Sequence, residues 1–374
     1  LPYLIVLFLL ALFIGKYRKE LTQSFYIPGI ILLTMPEYYL HVGVVSTDTF
    51  LCLSIALTMF GFWEALRENA KTYWGYIFFV GIGIGLLAKG PIIAILTLPP
   101  IFIWALITKN IKKIFLQLPW IVGVLLLLAI SIPWYVLAEL STPGFIDYFI
   151  IGEHYERYFN ADWKGDKYGF PKQQPLGMAW FFLIVFLLPW TIALIQLMIK
   201  KWKSMKQDRW ILFLLLWGIW TPLFFTSSKS LIHPYILPSC IPAALIISNY
   251  WTSLKNKKLY TGIAIGLPLL LLLIQLSGIA KPFYSHTTDK YLISNLNQVK
   301  KIYALDEKSY SSQFYTQGKV QLIKIDQFKS IMNSENPFYI IISNKHLKKV
   351  SFNLMSKLCK IDSNKNKGVY EFDP

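Results

Sequence analysis

The sequence predicts an all-α polytopic membrane protein with a small C-terminal α/β domain outside the membrane. Three observations predict this fold class. Of the 374 residues, 55% are hydrophobic and 15% are charged, whereas an average soluble domain has about 25% charged residues. Apolar runs of bilayer length recur through the first 280 residues. From Lys281 the composition changes, and short runs of β-branched and aromatic residues alternate with helical patterns.

The apolar runs predict about ten transmembrane helices in this chain. Lys and Arg cluster in alternate short loops between the runs, for example in Lys109–Lys113 and Lys200–Arg209. Such an excess of positive charge is typical of cytoplasmic loops. We therefore expect the basic loops to be inside and the C-terminal residues outside. The same clustering accounts for the net charge of +17 without a nucleic-acid partner, because the cations do not form one basic face.

The composition predicts two domains. Residues 1–280 form the transmembrane domain, which contains one long polar outer loop at residues 141–175, and residues 281–374 form the extracytoplasmic α/β domain. Within the second domain we expect strands at Lys301–Leu305, Val320–Ile323 and Phe338–Ile342, and helices at Asp326–Met332 and Lys345–Leu358.

The cysteines and the chain start add little about function. Cys52 and Cys240 lie inside apolar runs and are predicted core residues, and the sequence shows no disulfide framework or metal-binding pattern. The chain begins with Leu1 inside an apolar run. We expect it to be a fragment that lacks earlier spans.

Polar residues cluster at the predicted outer ends of the spans. Asp48 opens an inward span, either as a helix N-cap or as a carboxylate that binds or deprotonates an acceptor. Lys89 is a lone cation on the outer side, followed by Gly90-Pro91. A Lys beside a helix start forms an anion-binding arrangement. We favour this interpretation over an interfacial lysine, because snorkelling does not require a Gly-Pro break.

The long outer loop contains a third cluster, Glu153, His154 and Arg157. His154 and Arg157 are three residues apart and share a helical face, and the Arg guanidinium offers a fixed fork for phosphate oxygens. One alternative is a surface ion pair between Glu153 and Arg157. Another is a metal site at Glu153 and His154, for which the sequence offers no third ligand.

The fourth cluster contributes Lys229, His233 and Tyr235 at another outer turn. The alternative here is an interfacial Tyr with a snorkelling Lys. Together, the four clusters place cations, a carboxylate, a histidine and aromatic rings around an opening at membrane level, where ionisable residues are costly and indicate function. We expect a phosphate-bearing lipid substrate. The sequence has no nucleotide-binding glycine pattern, so the energy for transfer should reside in a pre-activated lipid.

In order and spacing, these stretches resemble the GT-C class of polyprenyl-phosphate-sugar glycosyltransferases. The similarity is greatest to the bacterial branch that contains lipid A aminoarabinose transferase and protein O-mannosyltransferase-like relatives, and it covers the first 250 residues. The stretches that carry the resemblance are Gly85–Pro91, Glu153–Tyr158, Ser228–Ser230 and Pro234–Pro238.

The resemblance implies many helices with an outer soluble lobe, and a sugar donor carried on undecaprenyl phosphate or a similar polyprenyl phosphate. Transfer would occur at the outer face of the bacterial inner membrane. The acceptor, whether a lipid A-like glycolipid, another glycan or a protein, stays open, as does a divalent metal. The implied roles are a catalytic carboxylate for Asp48, contact with the lipid phosphate for Lys89, Arg157, Lys229 and Tyr235, and other substrate contacts for Glu153, His154 and His233.

Two other functions remain open. A polyprenyl-lipid flippase or transporter should show inverted repeats and discontinuous helices at the membrane midplane. The sequence shows no repeat, and its polar clusters lie at one face. The second alternative is a non-catalytic fragment that binds carrier lipid, because the outer loop that carries another acidic residue in the family would precede Leu1.

Overall fold

The computed structural model of the chain describes residues 2–17, 24–41, 43–160, 163, 165, 173–228, 230–285, 288–294, 296, 300–333 and 336–374. The chain divides into two compact units, Leu1–Pro268 and Leu269–Pro374. The first unit is helical and the second contains a β-sheet.

The first unit is built from apolar helices joined by short polar turns. Its first helices are α1 (Pro2–Phe13), α2 (Ile27–Leu33), α3 (Pro36–His41), α4 (Thr47–Ala65), α5 (Tyr73–Lys89), α6 (Ile92–Thr108), α7 (Ile111–Gln117) and α8 (Trp120–Ser141). A π-helical segment at Asp147–Glu156 follows. The remaining helices are α9 (Arg157–Phe159), α10 (Met178–Phe186), α11 (Trp190–Met205), α12 (Arg209–Phe224), α13 (Leu237–Asn249) and α14 (Lys257–Leu276), which runs on into the second unit.

Several of these helices have the length and composition of membrane spans. Among the described residues, four qualify: α4, α8, α12 with its short extension to Ser227, and α14. The pair α10 and α11, bent by 102°, adds a fifth if it counts as one span, and three further apolar helices are shorter. The predicted class, a helical multi-pass membrane protein, is confirmed. The count of about ten spans stays a prediction.

Proline shapes the spans that differ most from the predicted ones. The run from Phe25 to Val45 forms the two short helices α2 and α3, and Pro36 begins the second. The run from Leu176 to Ile199 is divided between α10 and α11 just before and after Pro189. Proline lacks an N–H donor and clashes with the preceding turn, so it begins helices more readily than it continues them.

Glycine brings α4 and α5 into close contact. A Cβ atom on Gly61 would lie 2.6 Å from the backbone nitrogen of Phe78, and one on Gly81 would lie 2.5 Å from Oγ1 of Thr58. Small residues at a helix–helix contact permit this approach. By contrast, only 11% of the apolar window of α8, and of α14, is buried. These two helices present their apolar side chains to lipid.

Indole rings close the end of the bundle where α4 and α6 finish and α12 begins. The ring of Trp63 lies 4.6 Å from that of Trp210 and 5.7 Å from that of Trp104. The Trp104 indole N–H donates to the backbone carbonyl of Arg209 at 2.9 Å. These ring contacts and the indole hydrogen bond stabilise the packing of α4, α6 and α12 at this end of the bundle.

The second unit is a five-stranded mixed sheet in the order β2-β1-β3-β5-β4. Strand β1 is parallel to β2 and β3, and β5 is antiparallel to β3 and β4. Separate apolar clusters cover its two faces, which gives the α/β layering that the sequence predicts. The strands are β1 (Lys301–Leu305), β2 (Gln321–Ile323), β3 (Phe338–Ser343), β4 (Cys359–Ser363) and β5 (Lys367–Phe372).

The helix predicted at Asp326–Met332 is present, shifted by one residue, as Ile325–Ile331. All helices of this unit are short. They are α15 (Lys281–Tyr284), α16 (Lys290–Ile293), α17 (Tyr310–Tyr315), α18 (Ile325–Ile331), α19 (Asn344–Leu347) and α20 (Phe352–Met355). The predicted helix at Lys345–Leu358 is wrong. Ser351 is extended, with φ −65° and ψ 149°, and occupies the N-cap position of the second of two short helices. The hairpin of β4 and β5 was not predicted, because Lys, Asp and Asn dilute its apolar pattern.

Candidate functional site

A cavity of about 530 Å³ opens at one end of the first unit. Ligand pockets of proteins usually have volumes of about 300–1,000 Å³. Its wall combines the start of α4, the junction of α5 and α6, the π-helical segment and the turn that precedes α13. The polar residues on the wall are Ser46, Thr47, Lys89, Tyr148, Glu153, His154, Arg157, Tyr158, Ser228, Ser230 and Tyr235.

Asp48 lies in the first turn of α4, behind the cavity wall. The N-cap of α4 is Ser46: its hydroxyl accepts the Asp48 N–H at 3.1 Å and donates to the Asp48 carboxylate at 2.7 Å. The Asp48 side chain is 8% exposed and forms an ion pair with Lys89. The interpretation of Asp48 as the N-cap is therefore wrong, because the N-cap lies two residues earlier, at Ser46. The Asp48 carboxylate instead pairs with Lys89.

Lys89 ends α5 and lies on the cavity wall. Besides its ion pair with Asp48, its ammonium lies 4.3 Å from the centre of the Tyr235 ring. The Tyr235 ring is in turn 4.8 Å from that of Phe225. An ammonium has three donors and an attraction to aromatic faces. Held between a carboxylate and a ring, the Lys89 ammonium keeps N–H donors for an anion in the cavity.

Arg157 follows the π-helical segment and pairs with Glu153. The guanidinium donates to the Glu153 carboxylate at 2.7 Å and to the Ser230 hydroxyl at 3.4 Å, and the Tyr148 hydroxyl also donates to Glu153. The two charged side chains are 21% and 11% exposed. The ion pair between Glu153 and Arg157, which one interpretation predicted on the protein surface, is thus present, but it lies on the wall of a cavity. Insertions of π-helix are frequent at functional sites.

His154 joins the π-helical segment to the end of α5. Its Nδ1 lies 2.7 Å from the carbonyl oxygen of Phe149, and its Nε2 lies 2.8 Å from that of Lys89. A carbonyl oxygen only accepts hydrogen bonds, so the ring donates wherever it carries an N–H. The two contacts hold the ring between the π-helical segment and the last residue of α5.

His233 does not line the cavity. Its Nδ1 lies 3.0 Å from the carboxylate of Glu37, and its ring stacks on Phe186 at 4.7 Å. Glu37 is fully buried in α3. Sequence reasoning missed Glu37, although an acidic residue inside a predicted span is itself a signal of function.

Two further predictions concern Lys229 and metal binding. Lys229 lies outside the described residues, although Ser228 and Ser230 on either side of it line the cavity. Within the described ranges, no group of three or more His, Cys, Asp or Glu side chains is arranged to hold a metal ion. Cys52 and Cys240 are buried, as predicted.

The charges around the cavity are arranged in pairs. Asp48 pairs with Lys89 and Glu153 pairs with Arg157, so the charges of each pair sum to zero. An ion pair holds both of its side chains in place, and Lys and Arg each have more N–H donors than one carboxylate contact uses. Lys89 and Arg157 on the cavity wall are therefore suited to contact an anion.

Sequence comparison places the chain near membrane glycosyltransferases. Residues 3–149 match the family model of dolichyl-phosphate-mannose-protein mannosyltransferase. The undecaprenyl phosphate-α-4-amino-4-deoxy-L-arabinose arabinosyl transferase of Wigglesworthia glossinidia brevipalpis is 30% identical over 239 residues, 61% of this chain and 40% of the relative. The transferase of the same description from Yersinia enterocolitica is 28% identical over 245 residues, 62% of this chain and 41% of the relative. The chain thus spans about two fifths of the length of these relatives.

Comparison with solved structures finds an aminoarabinose transferase of the same type as the sequence relatives. The crystal structure of ArnT from Cupriavidus metallidurans bound to undecaprenyl phosphate matches with a TM-score of 0.73 at 15% identity, covering 99% of this chain and 82% of that chain. The apo structure of ArnT matches with a TM-score of 0.72. At this identity the likeness shows the fold. With the sequence relatives, it confirms the predicted resemblance: the chain is similar in sequence and fold to the GT-C glycosyltransferases of the lipid A aminoarabinose transferase type.

Proposed function

We propose that the chain is part of a membrane glycosyltransferase that moves a sugar from a polyprenyl-phosphate carrier to an acceptor. The names of the relatives describe an arabinosyl transferase for undecaprenyl phosphate-α-4-amino-4-deoxy-L-arabinose, which supports a donor of this class. The acceptor that we propose, a lipid A-like glycolipid, follows from the family resemblance. The proposal rests on one observation above all. Lys89, Arg157 and Tyr235, which come from three separate parts of the chain, line a single cavity whose volume suits a lipid headgroup with its sugar.

In the proposed reaction, an acceptor hydroxyl oxygen forms a bond to the anomeric carbon of the donor sugar. The bond between that carbon and the phosphate oxygen breaks, and its electron pair stays on the carrier phosphate. The hydroxyl proton passes to a carboxylate. Negative charge therefore grows on the phosphate as the bond breaks, and fixed donors aimed at it lower the barrier.

The wall residues have distinct proposed roles. Arg157 grips two phosphate oxygens with its planar fork, and Lys89 adds a point charge. Tyr235 holds the Lys89 ammonium against its ring. Lys229 is assigned to the same phosphate by resemblance alone, since it lies outside the described residues.

The two carboxylates differ in access to the substrate. Glu153 lines the cavity and is placed to accept the hydroxyl proton. Asp48 contacts Lys89 and Ser46, and is absent from the residues that line the main cavity. Our proposal therefore gives Asp48 a part in the reaction through Lys89, which it orients. His233 contacts Glu37 of α3 and would act on the cavity only indirectly.

We also propose the bacterial inner membrane as the location, with the cavity and the C-terminal unit on the outer side. The proposal is supported by the position of the basic loops, because Lys and Arg mark cytoplasmic loops. The cavity is built at the ends of helices opposite to those loops.

The test of the proposed function is sugar transfer in detergent or nanodiscs from a synthetic polyprenyl-phosphate sugar to a lipid A acceptor. We expect product in the presence of wild-type protein and a large loss in Glu153→Gln and Asp48→Asn. Lys200→Gln, on the exposed end of α11, is the control. Carrier lipid that crosses the bilayer without sugar transfer would instead identify a flippase.

A further inference from the structure

A second cavity, of about 110 Å³, lies at the opposite end of the same helices. It is lined by Trp63 of α4 and Trp104 of α6, whereas Asp48 of α4 and Ile92 of α6 lie beside the first cavity. At about 1.5 Å per helical residue, Trp63 is about 22 Å from Asp48 along α4. The two cavities therefore lie near opposite faces of the membrane.

Three cations line this second cavity, and no acidic side chain does. Arg67 follows α4, Lys113 belongs to α7 and Arg209 begins α12. Arg67 pairs with Glu64 at 3.3 Å. Among the residues that the structure describes, neither Lys113 nor Arg209 has a carboxylate within 4.0 Å. A group of three cations with one carboxylate partner creates a positive potential that attracts anions.

The wall behind these cations is fixed. The Trp104 indole donates to the carbonyl of Arg209, so the backbone that carries this guanidinium is held in place. The Trp63 ring packs against Trp104 and Trp210. The amide of Asn110 adds a neutral polar group. Indole rings prefer the headgroup level of a bilayer. The site thus combines packed indole rings with three cationic side chains at the expected depth of lipid headgroups.

From this arrangement we propose a second anion site, which binds a phosphate group between Arg67, Lys113 and Arg209. The phosphate comes either from the headgroup of an anionic lipid such as phosphatidylglycerol or from free phosphate in solution. Basic pockets between transmembrane helices are known to hold anionic headgroups. The inference does not depend on sugar transfer, because it uses no residue of the first cavity.

The experiment measures the thermal stability of the purified chain in nanodiscs of phosphatidylcholine, with and without phosphatidylglycerol, and with added inorganic phosphate. A ligand that binds only the folded state raises the unfolding temperature. The test variant is Lys113→Gln with Arg209→Gln. The matched control is Lys112→Gln with Lys206→Gln, which removes two exposed cations from the same helix and the same region without changing the cavity lining.

We expect phosphatidylglycerol to stabilise the wild type and the control, and to bind the test variant about thirtyfold more weakly, since each cation near a lipid headgroup contributes about 1 kcal/mol. The same pattern with inorganic phosphate in place of the lipid would identify a free phosphate as the ligand. Equal losses in the test and control variants, or no stabilisation by either ligand, would overturn the proposal. Size-exclusion profiles identify any variant that fails to fold.

Discussion

At the scale of single residues, each charged side chain of the main cavity is held by a partner of opposite charge. Lys89 is paired with Asp48, and Arg157 with Glu153. Removing one member of a buried pair costs more than the pair contributes, because the other charge is left without compensation. Single substitutions at these positions therefore report on both binding and stability, and each needs a measurement of folding beside the measurement of function.

Arg157 is the residue whose replacement distinguishes charge from geometry. Arg157→Lys keeps the positive charge but loses the planar fork. We expect transfer to fall substantially in Arg157→Lys and further in Arg157→Ala, on the order of a hundredfold for the loss of one such donor. The measurement is turnover with a synthetic polyprenyl-phosphate sugar, in protein shown by gel filtration to be folded. Wild-type turnover in folded Arg157→Ala would rule out contact with the phosphate.

At the scale of elements, the turn between α5 and α6 fixes the position of Lys89. Gly90 has φ +67°, and a Cβ there would lie 2.8 Å from Cε1 of His154 and 2.8 Å from a ring carbon of Phe149. Any residue with a side chain would therefore be strained in its backbone and would push the π-helical segment away. This close contact requires glycine in the Gly90-Pro91 turn that the sequence analysis identified.

Gly90→Ala should lower the free energy of unfolding by about 1–3 kcal/mol, the usual cost of local backbone strain with steric overlap. Gly144→Ala is the matched control, because Gly144 has φ +84° with no atom within 4 Å of the added Cβ. We expect about 1 kcal/mol there. Thermal or denaturant unfolding of both variants measures the difference. Equal effects at the two glycines would exclude the contact with His154.

Sequence patterns located most elements but few of their exact contacts. Long apolar runs identify helices such as α8 and α14, since lipid leaves no other solution for the backbone. The N-cap of α4 is Ser46 and not Asp48. Sequence alone does not distinguish the two, because Ser and Asp are both common N-cap residues and the backbone conformation decides which one occupies that position. The contact of His154 with Lys89 joins residues far apart in sequence, and no local pattern encodes it.

At the scale of the whole molecule, orientation in the membrane is the feature that the basic loops predict most directly. We expect the loop before α14 and the C-terminal unit to lie on opposite sides. Lys255→Cys and Lys308→Cys, both at exposed positions, test this in a background in which the exposed Cys359 is replaced by Ser. A membrane-impermeant maleimide on intact cells should label only Lys308→Cys. Labelling of both from one side would invalidate the orientation.

The composition of the whole chain predicted its class well and its details less well. The hydrophobic fraction and the change at Lys281 point to helices followed by an α/β lobe, and both are present. The number of spans is harder to derive, because α13 is short and buried along its whole length. A helix that is apolar all round has the same appearance whether it faces lipid or the interior of a bundle.

The ion pair between Asp48 and Lys89 also bears on how the chain enters the membrane during synthesis. It links the beginning of α4 to the end of α5, two consecutive helices that Gly61 and Gly81 bring together. An unpaired Asp or Lys costs about 2.5–3.5 kcal/mol at the centre of an inserting helix and less near its ends, where these two side chains lie. A partner on the next helix reduces that cost further, so we expect α4 and α5 to insert most favourably together, as a hairpin.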